Sequence, residues 1–197
     1  MAPQKIESWR VFCAIELPSV IREQIGAYSN ELRTSVPHAR ASWSRPENIH
    51  LTLKFLGDVP RMRVEALSQA SARAVEKFSS FEIQIGGTGA FPPHGSPRVF
   101  WIGITDGSGK LAQLQKKLDL ECTQVGFEPE SRAFNPHLTI ARLRRAEGAA
   151  ELARVHKQNS FAPLIMKVSE LVVIRSELSN AGSRYNAISR HQMSDKL

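Results

Sequence analysis

The feature that most constrains the fold of this 197-residue chain is a short segment that occurs twice. Residues 48–56 read NIHLTLKFL and residues 135–143 read NPHLTIARL, so the two copies lie 87 positions apart. Both alternate apolar and polar residues after an Asn or Pro break, which predicts two β-strands. Successive side chains of a strand point to opposite faces, so the histidine and threonine of each copy share one face and the aliphatic residues share the other.

Chance does not explain this repetition. Six His and six Thr among 197 residues predict roughly 0.2 His-x-Thr tripeptides by random placement, which measures the false-positive risk of so short a motif. Two are present, at 50–52 and 137–139. A second similarity joins residues 10–15 (RVFCAI) to residues 98–104 (RVFWIGI), at an offset of 88. Repeats of this kind indicate a duplicated supersecondary unit.

Hydrophobic periodicity gives each half the order strand, helix, motif strand, helix, strand. Strands are predicted over 10–17, 41–44, 49–56, 81–85, 98–104, 135–143, 164–174 and 185–188, and helices over 20–33, 60–78, 109–124 and 149–158. Ser19 is the expected cap of the first helix, the Gly- and Pro-rich segment 86–97 the expected hinge, and the polar end from His191 an expected frayed tail.

We therefore expect an α+β fold: one bilobal domain over residues 1–197, with two mostly antiparallel sheets flanked by helices. The pseudo-repeats would span about 10–85 and 98–175, with a last strand near 184–190. A pseudo-two-fold axis between such units brings the two motif strands to face each other across a central cleft. Alternating strands and helices also suit a parallel sheet, but the short turns and mixed order favour antiparallel pairing.

Composition limits the class of protein. The hydrophobic fraction of 42% suits one compact domain. No run of 18 apolar residues predicts a membrane helix, and the first residues lack the pattern of a signal peptide, so a cytoplasmic protein is expected. Cys13 and Cys122 are isolated and lack metal-site spacing, and Cys13 lies within a strand pattern typical of the core. No metal or other cofactor is expected.

The formal net charge of +7 favours a polyanionic partner such as nucleic acid, although a basic balance also serves solubility alone. Arg144-Arg145 and the pair Arg61 and Arg63 are candidates for a basic rim that contacts RNA. Charge runs are more often solvated surface, so these four residues are not assigned to the site.

Two histidines that face each other suit acid–base chemistry, because the imidazole pKa lies near neutrality. A hydroxyl beside each imidazole provides a donor to an anionic oxygen. Together they form a site for a phosphate that undergoes in-line displacement, in which one histidine deprotonates water and the other protonates the leaving alkoxide. A lone strand histidine is more often structural; duplication next to a threonine favours catalytic roles for His50, His137, Thr52 and Thr139.

HLTL at 50–53 and HLTI at 137–140 resemble the two signature tetrapeptides of the 2H phosphoesterase superfamily. Their surroundings resemble its RNA 2′,3′-cyclic phosphodiesterases, also called 2′-5′ RNA ligases. The supporting segments extend over nearly the whole chain: RVFxAI at 10–15, PENIHLTLxFLG at 46–57, GxFP at 89–92, PRVFW at 97–101, RxFxPHLTIAR at 132–142 and RSxL at 175–178. Ser44 and Arg45 stand where the family more usually has an apolar pair, with no expected chemical consequence.

The resemblance implies metal-independent hydrolysis of a terminal 2′,3′-cyclic phosphate of RNA to a 2′-phosphate. By family analogy His50 protonates the leaving 3′ oxygen and His137 activates water, although the symmetry of the motifs leaves the two roles interchangeable. The partner would be RNA with a cyclic phosphate end, including tRNA fragments, or a small cyclic nucleotide, acted on by a monomer. The alternatives are ATP-independent 2′-5′ ligation of tRNA halves and a non-catalytic RNA-binding module.

Two further residues are candidates for substrate binding. Phe12 either stacks on a base or belongs to the core, and Arg142 either pairs with phosphate or is a solvated strand end. Arg98 and the tryptophans Trp43 and Trp101 are interpreted as packing or strand-edge residues. The remaining histidines, 38, 94, 156 and 191, are expected to be solvated.

Overall fold

Two separate antiparallel sheets and four helices make up the computed structural model, which describes residues 7–179 and 182–194. The strands are β1 Ser8–Glu16, β2 Ala41–Trp43, β3 His50–Pro60, β4 Phe81–Phe91, β5 Val99–Thr105, β6 His137–Leu143, β7 Leu164–Val168, β8 Glu170–Ser179 and β9 Gly182–Gln192. The helices are α1 Ser19–Ser35, α2 Val64–Val75, α3 Lys110–Gln124 and α4 Ala149–Gln158.

The two motif strands lie in different sheets. Sheet A has the strand order β3-β1-β8-β9, and sheet B has the order β2-β6-β5-β4-β7. Every neighbouring pair of these strands is antiparallel. The expected α+β class with two antiparallel sheets is confirmed.

The two halves of the sequence are interwoven and do not form one lobe each. Sheet A combines β1 and β3 of the first half with β8 and β9 of the second, whereas β4 of the first half lies in sheet B. The helices exchange in the same way: α1 contacts β6, and α3 contacts β3. A continuous hydrophobic core runs through both sheets. Neither half therefore contains all the strands of one sheet.

Several predicted boundaries are wrong because tertiary pairing overrides local signals. Residues 86–91 of the expected hinge belong to β4, which pairs with β5 up to Phe91. The apolar run 164–174 is two strands, since β7 pairs with β4 in sheet B and β8 pairs with β1 in sheet A. Residues 191–194 of the expected frayed tail are held by strand pairing and backbone hydrogen bonds, and Met193 is buried; residues 195–197 of that tail lie outside the described part of the chain.

Smaller differences concern the ends of elements. The first motif strand continues through Gly57 to Pro60, because β1 pairs with it over its whole length. The second helix begins at Val64, after a 3₁₀ turn at Arg61–Arg63. Ser19 begins α1, but no side chain caps that helix.

The strand register shows that the offset between the repeats at β1 and β5 is 87 positions, where the sequence similarity suggested 88. Ala14 pairs with Thr52 and Trp101 with Thr139, so the equivalent residues lie 87 positions apart, as in the motifs. The offset of 88 matched Phe12 with Phe100, which lie on opposite faces. A shift of one residue exchanges the two faces of a strand, and the buried equivalent of Phe100 is therefore Cys13.

Among the described residues, no helix combines the length and apolarity needed to cross a bilayer. Both cysteines are buried and free, as expected for Cys13. Burial raises the pKa of the Cys13 thiol to about 12 and that of the Cys122 thiol to about 11. Since the thiolate is the reactive form, both side chains act as packing residues.

Candidate active site

The two motif strands lie against each other where sheet A meets sheet B. Leu51 of β3 and Leu138 of β6 are almost fully buried in the same core. Since both strands turn their aliphatic residues into this shared core, their opposite faces are turned away from it. The four motif residues His50, Thr52, His137 and Thr139 therefore lie on the faces of β3 and β6 that are turned away from this core.

Both histidines are held in the same way. The Nδ1 atom of His50 lies 2.8 Å from the carbonyl oxygen of Asn48, and that of His137 lies 2.7 Å from the carbonyl oxygen of Asn135. A carbonyl oxygen can only accept, so Nδ1 carries the hydrogen in the neutral ring. Among the described residues, no hydrogen-bond partner occupies either Nε2, which leaves this atom available to exchange a proton with a ligand.

The asparagines Asn48 and Asn135 are site residues that the sequence analysis did not assign, although they occupy the same place in both copies. Asn48 is itself fixed, since its side-chain amide donates to the carbonyl oxygen of Ser183 at 2.8 Å. Repetition of Asn-x-His was the available signal. The role of each asparagine is to provide a backbone carbonyl group to the histidine, and a pattern of residue types does not identify which backbone groups bind a side chain.

A β-bulge follows the threonine in each motif strand. The extra residue is Leu53 in β3 and Ile140 in β6, again 87 positions apart. Each bulge inverts the alternation beyond it. Lys54 is consequently buried, and Arg142 of β6 is exposed on the face of His137. The duplicated bulge shows that the repeat extends to irregular backbone geometry.

Ser44 joins the two motif regions. Its backbone N–H donates to the carbonyl oxygen of Ile140, and its hydroxyl donates to that of Thr139, both at 2.8 Å. These bonds satisfy carbonyl groups at the bulge of β6. The residue for which no chemical consequence was expected therefore fixes the chain before the first motif to the second.

Aromatic rings surround His50. The ring of Phe12 stacks on it with centroids 4.6 Å apart, and the ring of Tyr185 meets it edge-on at 5.2 Å. Phe12 is only 2% exposed and packs with Ala14 and Ile174. The interpretation that Phe12 stacks on an RNA base is therefore wrong for this structure, because no open face remains. Phe12 supports the His50 ring instead.

His137 has a different aromatic environment. Phe91 meets its ring edge-on at 5.1 Å, and the centroid of Trp101 lies 6.3 Å away. The Trp101 ring packs closely over Gly89, where an added Cβ would lie 2.1 Å from a ring carbon. Trp101 is a packing residue, as expected, but one that lies beside the second motif histidine.

Electrostatic surroundings distinguish the two histidines. Burial lowers the pKa of His50, partly opposed by the bond to the Asn48 carbonyl and by the charge of Glu16. Glu16 is the cross-strand partner of His50, whereas Gly103 is the partner of His137. Only His50 thus has a carboxylate opposite it, and this carboxylate forms an ion pair with Arg190 at 2.8 Å.

The other histidines differ in their surroundings. His94 is exposed, and His38 lies 3.1 Å from a carboxylate oxygen of Glu151 at the surface. His156 contradicts the expectation of solvent exposure, since it is buried between the Tyr28 hydroxyl and the carbonyl oxygen of Trp101. Its helix turns it inward, and burial lowers its pKa. None of these three histidines belongs to a His-x-Thr motif.

The two-sheet fold and the paired His-x-Thr strands define a protein of the 2H phosphoesterase class. A model of the 2′-5′ RNA ligase superfamily matches residues 17–180. The chain therefore belongs to this superfamily.

Individual relatives are consistent with that membership. The RNA 2′,3′-cyclic phosphodiesterase of Methanothermobacter thermautotrophicus is 33% identical over 89% of this chain and 94% of its own. The crystal structure of Escherichia coli LigT complexed with 3′-AMP superposes with a TM-score of 0.74, at 28% identity over 95% of this chain and 99% of that chain. The protein TT0787 of Thermus thermophilus shares the fold, with a TM-score of 0.76 at 23% identity over 93% of this chain and 97% of that chain.

Proposed function

We propose that this protein hydrolyses the terminal 2′,3′-cyclic phosphate of RNA to a 2′-phosphate without a metal ion. The observation that carries the proposal is the matched pair of histidines, each with Nδ1 bound to a carbonyl oxygen and Nε2 unoccupied. The names of several relatives about 30% identical to the chain, RNA 2′,3′-cyclic phosphodiesterase, support the reaction class.

In the proposed reaction a water oxygen attacks phosphorus in line with the bond to the 3′ oxygen. His137 Nε2 accepts a proton from this water as the new P–O bond forms. The bond between phosphorus and the 3′ oxygen breaks, and protonated His50 donates its Nε2 proton to that oxygen. The products are a 2′-phosphomonoester and a free 3′-hydroxyl, and the two histidines exchange protonation states.

The threonine hydroxyls complete the phosphate site. Thr52 and Thr139 lie two residues beyond the histidines on the same face. Each hydroxyl is proposed to donate to a non-bridging oxygen, where charge accumulates during displacement. The two hydroxyls, one from β3 of sheet A and one from β6 of sheet B, would stabilise this charge during displacement.

The lowered pKa of His50 is compatible with a role as proton donor. Burial disfavours the imidazolium in the free protein. A bound phosphodiester brings a negative charge close to Nε2, and an opposite charge favours the protonated ring. We therefore propose that His50 takes up its proton as substrate binds.

The direct test uses an RNA oligomer ending in a 2′,3′-cyclic phosphate, incubated with purified protein in EDTA, with the new end identified. Formation of a 2′-phosphate, lost in His50→Ala and His137→Ala, would support the proposal. His94→Ala is the matched control, because this histidine is exposed and lies outside the site. Activity that disappears in EDTA would refute the metal-free mechanism. A 3′-phosphate product would refute the choice of leaving oxygen.

Ligation is a second candidate, favoured by the superfamily model that the chain matches. A 5′-hydroxyl in place of water on the side of His137 would give a 2′-5′ linkage without ATP. tRNA halves are the proposed substrates of this reaction, and a joined product on a gel would establish it. RNA affinity unaffected by His50→Ala, without any product, would indicate a binding module. We further propose that the protein is cytoplasmic and monomeric. Light scattering tests the monomeric state by measuring the molar mass in solution.

A further inference from the structure

Exposed arginines gather at one end of β6, beyond the second motif. Arg142 is the last exposed residue of the strand, and Arg144 and Arg145 follow it in a turn. Arg98 precedes the neighbouring strand, and its guanidinium donates to the carbonyl oxygen of Arg144 at 2.6 Å. We refer to Arg98, Arg142, Arg144 and Arg145 as the β6 arginine cluster.

The positive charge of the β6 arginine cluster is not neutralised by ion pairs among the described residues. Within residues 7–179 and 182–194, no carboxylate lies within ion-pair distance of any of its four guanidinium groups. Glu147, the acidic residue that follows in sequence, interacts with Arg40 at 3.6 Å. The cluster therefore contributes four uncompensated positive charges on a chain whose formal net charge is +7. A concentrated positive surface attracts polyanions.

The second basic run of the sequence behaves differently. Arg61 forms an ion pair with Glu7 at 2.9 Å. Arg63 donates to the carbonyl oxygens of Val125 and Gly126, at 2.9 and 2.8 Å. Because Arg61 is paired with a carboxylate and, among the described residues, none of the four guanidinium groups of the β6 arginine cluster is, the structure favours the β6 end over this pair as a surface for an external anion.

The cluster is continuous with the paired motifs. The bulge at Ile140 places Arg142 on the same face as His137 and Thr139. At about 3.3 Å per strand residue, the distance along β6 from His137 to Arg142 is about 16 Å. The equivalent residue on β3 is Phe55, which is uncharged. On the β3 side the exposed guanidinium of Arg10 lies 4.8 Å from the centroid of the Phe55 ring, so that side has one arginine at this position whereas the β6 end has four.

We propose that the β6 arginine cluster binds backbone phosphates of the RNA chain whose terminal phosphate lies between the two motifs. This inference rests on the proposed function and adds a preference for polynucleotide over mononucleotide substrates. Guanidinium groups bind phosphate oxygens through paired N–H donors. Binding releases counterions condensed on the RNA, so the contribution of the cluster decreases as salt increases.

The test compares the wild type with the double variant Arg144→Gln/Arg145→Gln. The substrates are an RNA 12-mer ending in a 2′,3′-cyclic phosphate and a 2′,3′-cyclic mononucleotide. The ratio of kcat/KM for the 12-mer to that for the mononucleotide should fall about tenfold at low salt. For two lost phosphate contacts, the slope of log kcat/KM against log salt for the 12-mer should become shallower by about 1.4.

Arg33→Gln/Arg154→Gln is the matched control, since it removes the same charge from exposed helix positions. An unchanged ratio and slope in Arg144→Gln/Arg145→Gln, or equal changes in the control, would overturn the proposal. A decrease in the kcat/KM ratio that occurs in Arg144→Gln/Arg145→Gln and not in the control would support the proposal. Circular dichroism of each variant verifies that the fold is retained.

A binding assay separates this inference from the proposed reaction. Fluorescence anisotropy measures the Kd of a 12-mer ending in a 2′-phosphate, which cannot turn over, against His137→Ala with and without Arg144→Gln/Arg145→Gln. Salt-sensitive binding that weakens about tenfold in the combined variant supports the arginine cluster even if the wild type hydrolyses neither substrate. Binding unaffected by Arg144→Gln/Arg145→Gln refutes the cluster even if hydrolysis is confirmed.

Discussion

Lys54 makes a buried ion pair whose two partners differ in exposure. Its side chain is 3% exposed and donates both to Asp119 of α3 and, at 2.7 Å, to the carbonyl oxygen of Glu128. Asp119 is 21% exposed and also accepts from the backbone N–H of Glu130 at 3.0 Å. The pair therefore fixes β3 to the segment that leads into the second motif strand.

This difference in exposure predicts that removing the charge of Asp119 lowers the free energy of unfolding more than removing the charge of Lys54 does. Asp119→Asn leaves the Lys54 ammonium buried without its counterion, and breaking a buried pair in this way costs about 3–5 kcal/mol. Lys54→Met replaces the cation with an apolar chain of similar length and leaves a partly solvated carboxylate, for which we expect about 1 kcal/mol or less. The double variant should resemble Lys54→Met, because no buried charge remains.

Thermal and urea unfolding of the three variants provide the assay. For a chain of this size, 1 kcal/mol corresponds to roughly 2–4 °C in Tm. Asp119→Asn should therefore lower Tm by about 6 °C or more, and Lys54→Met by at most about 4 °C. The double-mutant cycle should show a coupling of about 3–5 kcal/mol, equal to the cost of Asp119→Asn alone.

Two results would refute this reasoning. One is a larger loss of stability in Lys54→Met than in Asp119→Asn, which would mean that the ion pair stabilises the fold more than burial of the lysine costs. The other is additive loss in the double variant, which would mean that the two side chains act independently.

Three further predictions concern the surroundings of the site. Removing the Glu16 charge should lower the pKa of His50, so Glu16→Gln should move the alkaline limb of the kcat/KM profile to lower pH; movement of the acidic limb instead would make His50 the base. Gly89→Ala should displace Trp101 by overpacking and cost about 1–3 kcal/mol in urea unfolding, with reduced turnover, and unchanged stability would contradict the close contact. Buried His156 binds fewer protons in the native than in the unfolded chain, so the free energy of unfolding should decrease as pH falls below about 6.5, and less so in His156→Gln.

The sequence predicted the parts of the site that depend on local periodicity. Alternation in the two motif strands placed His50 with Thr52 and His137 with Thr139 opposite the aliphatic residues, and the structure has this arrangement as far as the threonines. This part of the prediction depends on each strand alone, because a strand with one face buried in the core requires apolar residues at every second position.

Beyond the threonines the same rule fails. Continued alternation would place Lys54 outward and Arg142 inward, whereas the bulges at Leu53 and Ile140 reverse both. A bulge depends on two residues opposing one across the ladder. That information belongs to the pair of strands, and no single segment contains it.

The interweaving of the halves is the largest feature that tertiary structure alone decided. A repeat in the sequence is compatible with two separate lobes or with exchanged strands, since both bury the same apolar faces. The division of residues 164–174 between β7 and β8 has the same origin, because an apolar run does not reveal which sheet pairs with each part. His156 is similar: its partners, Tyr28 and Trp101, lie 128 and 55 positions away. The sequence thus determined which residues face inward within each strand and which chemistry they suit, while long-range pairing decided where each strand lies and which rings, carbonyl groups and charges surround the two histidines.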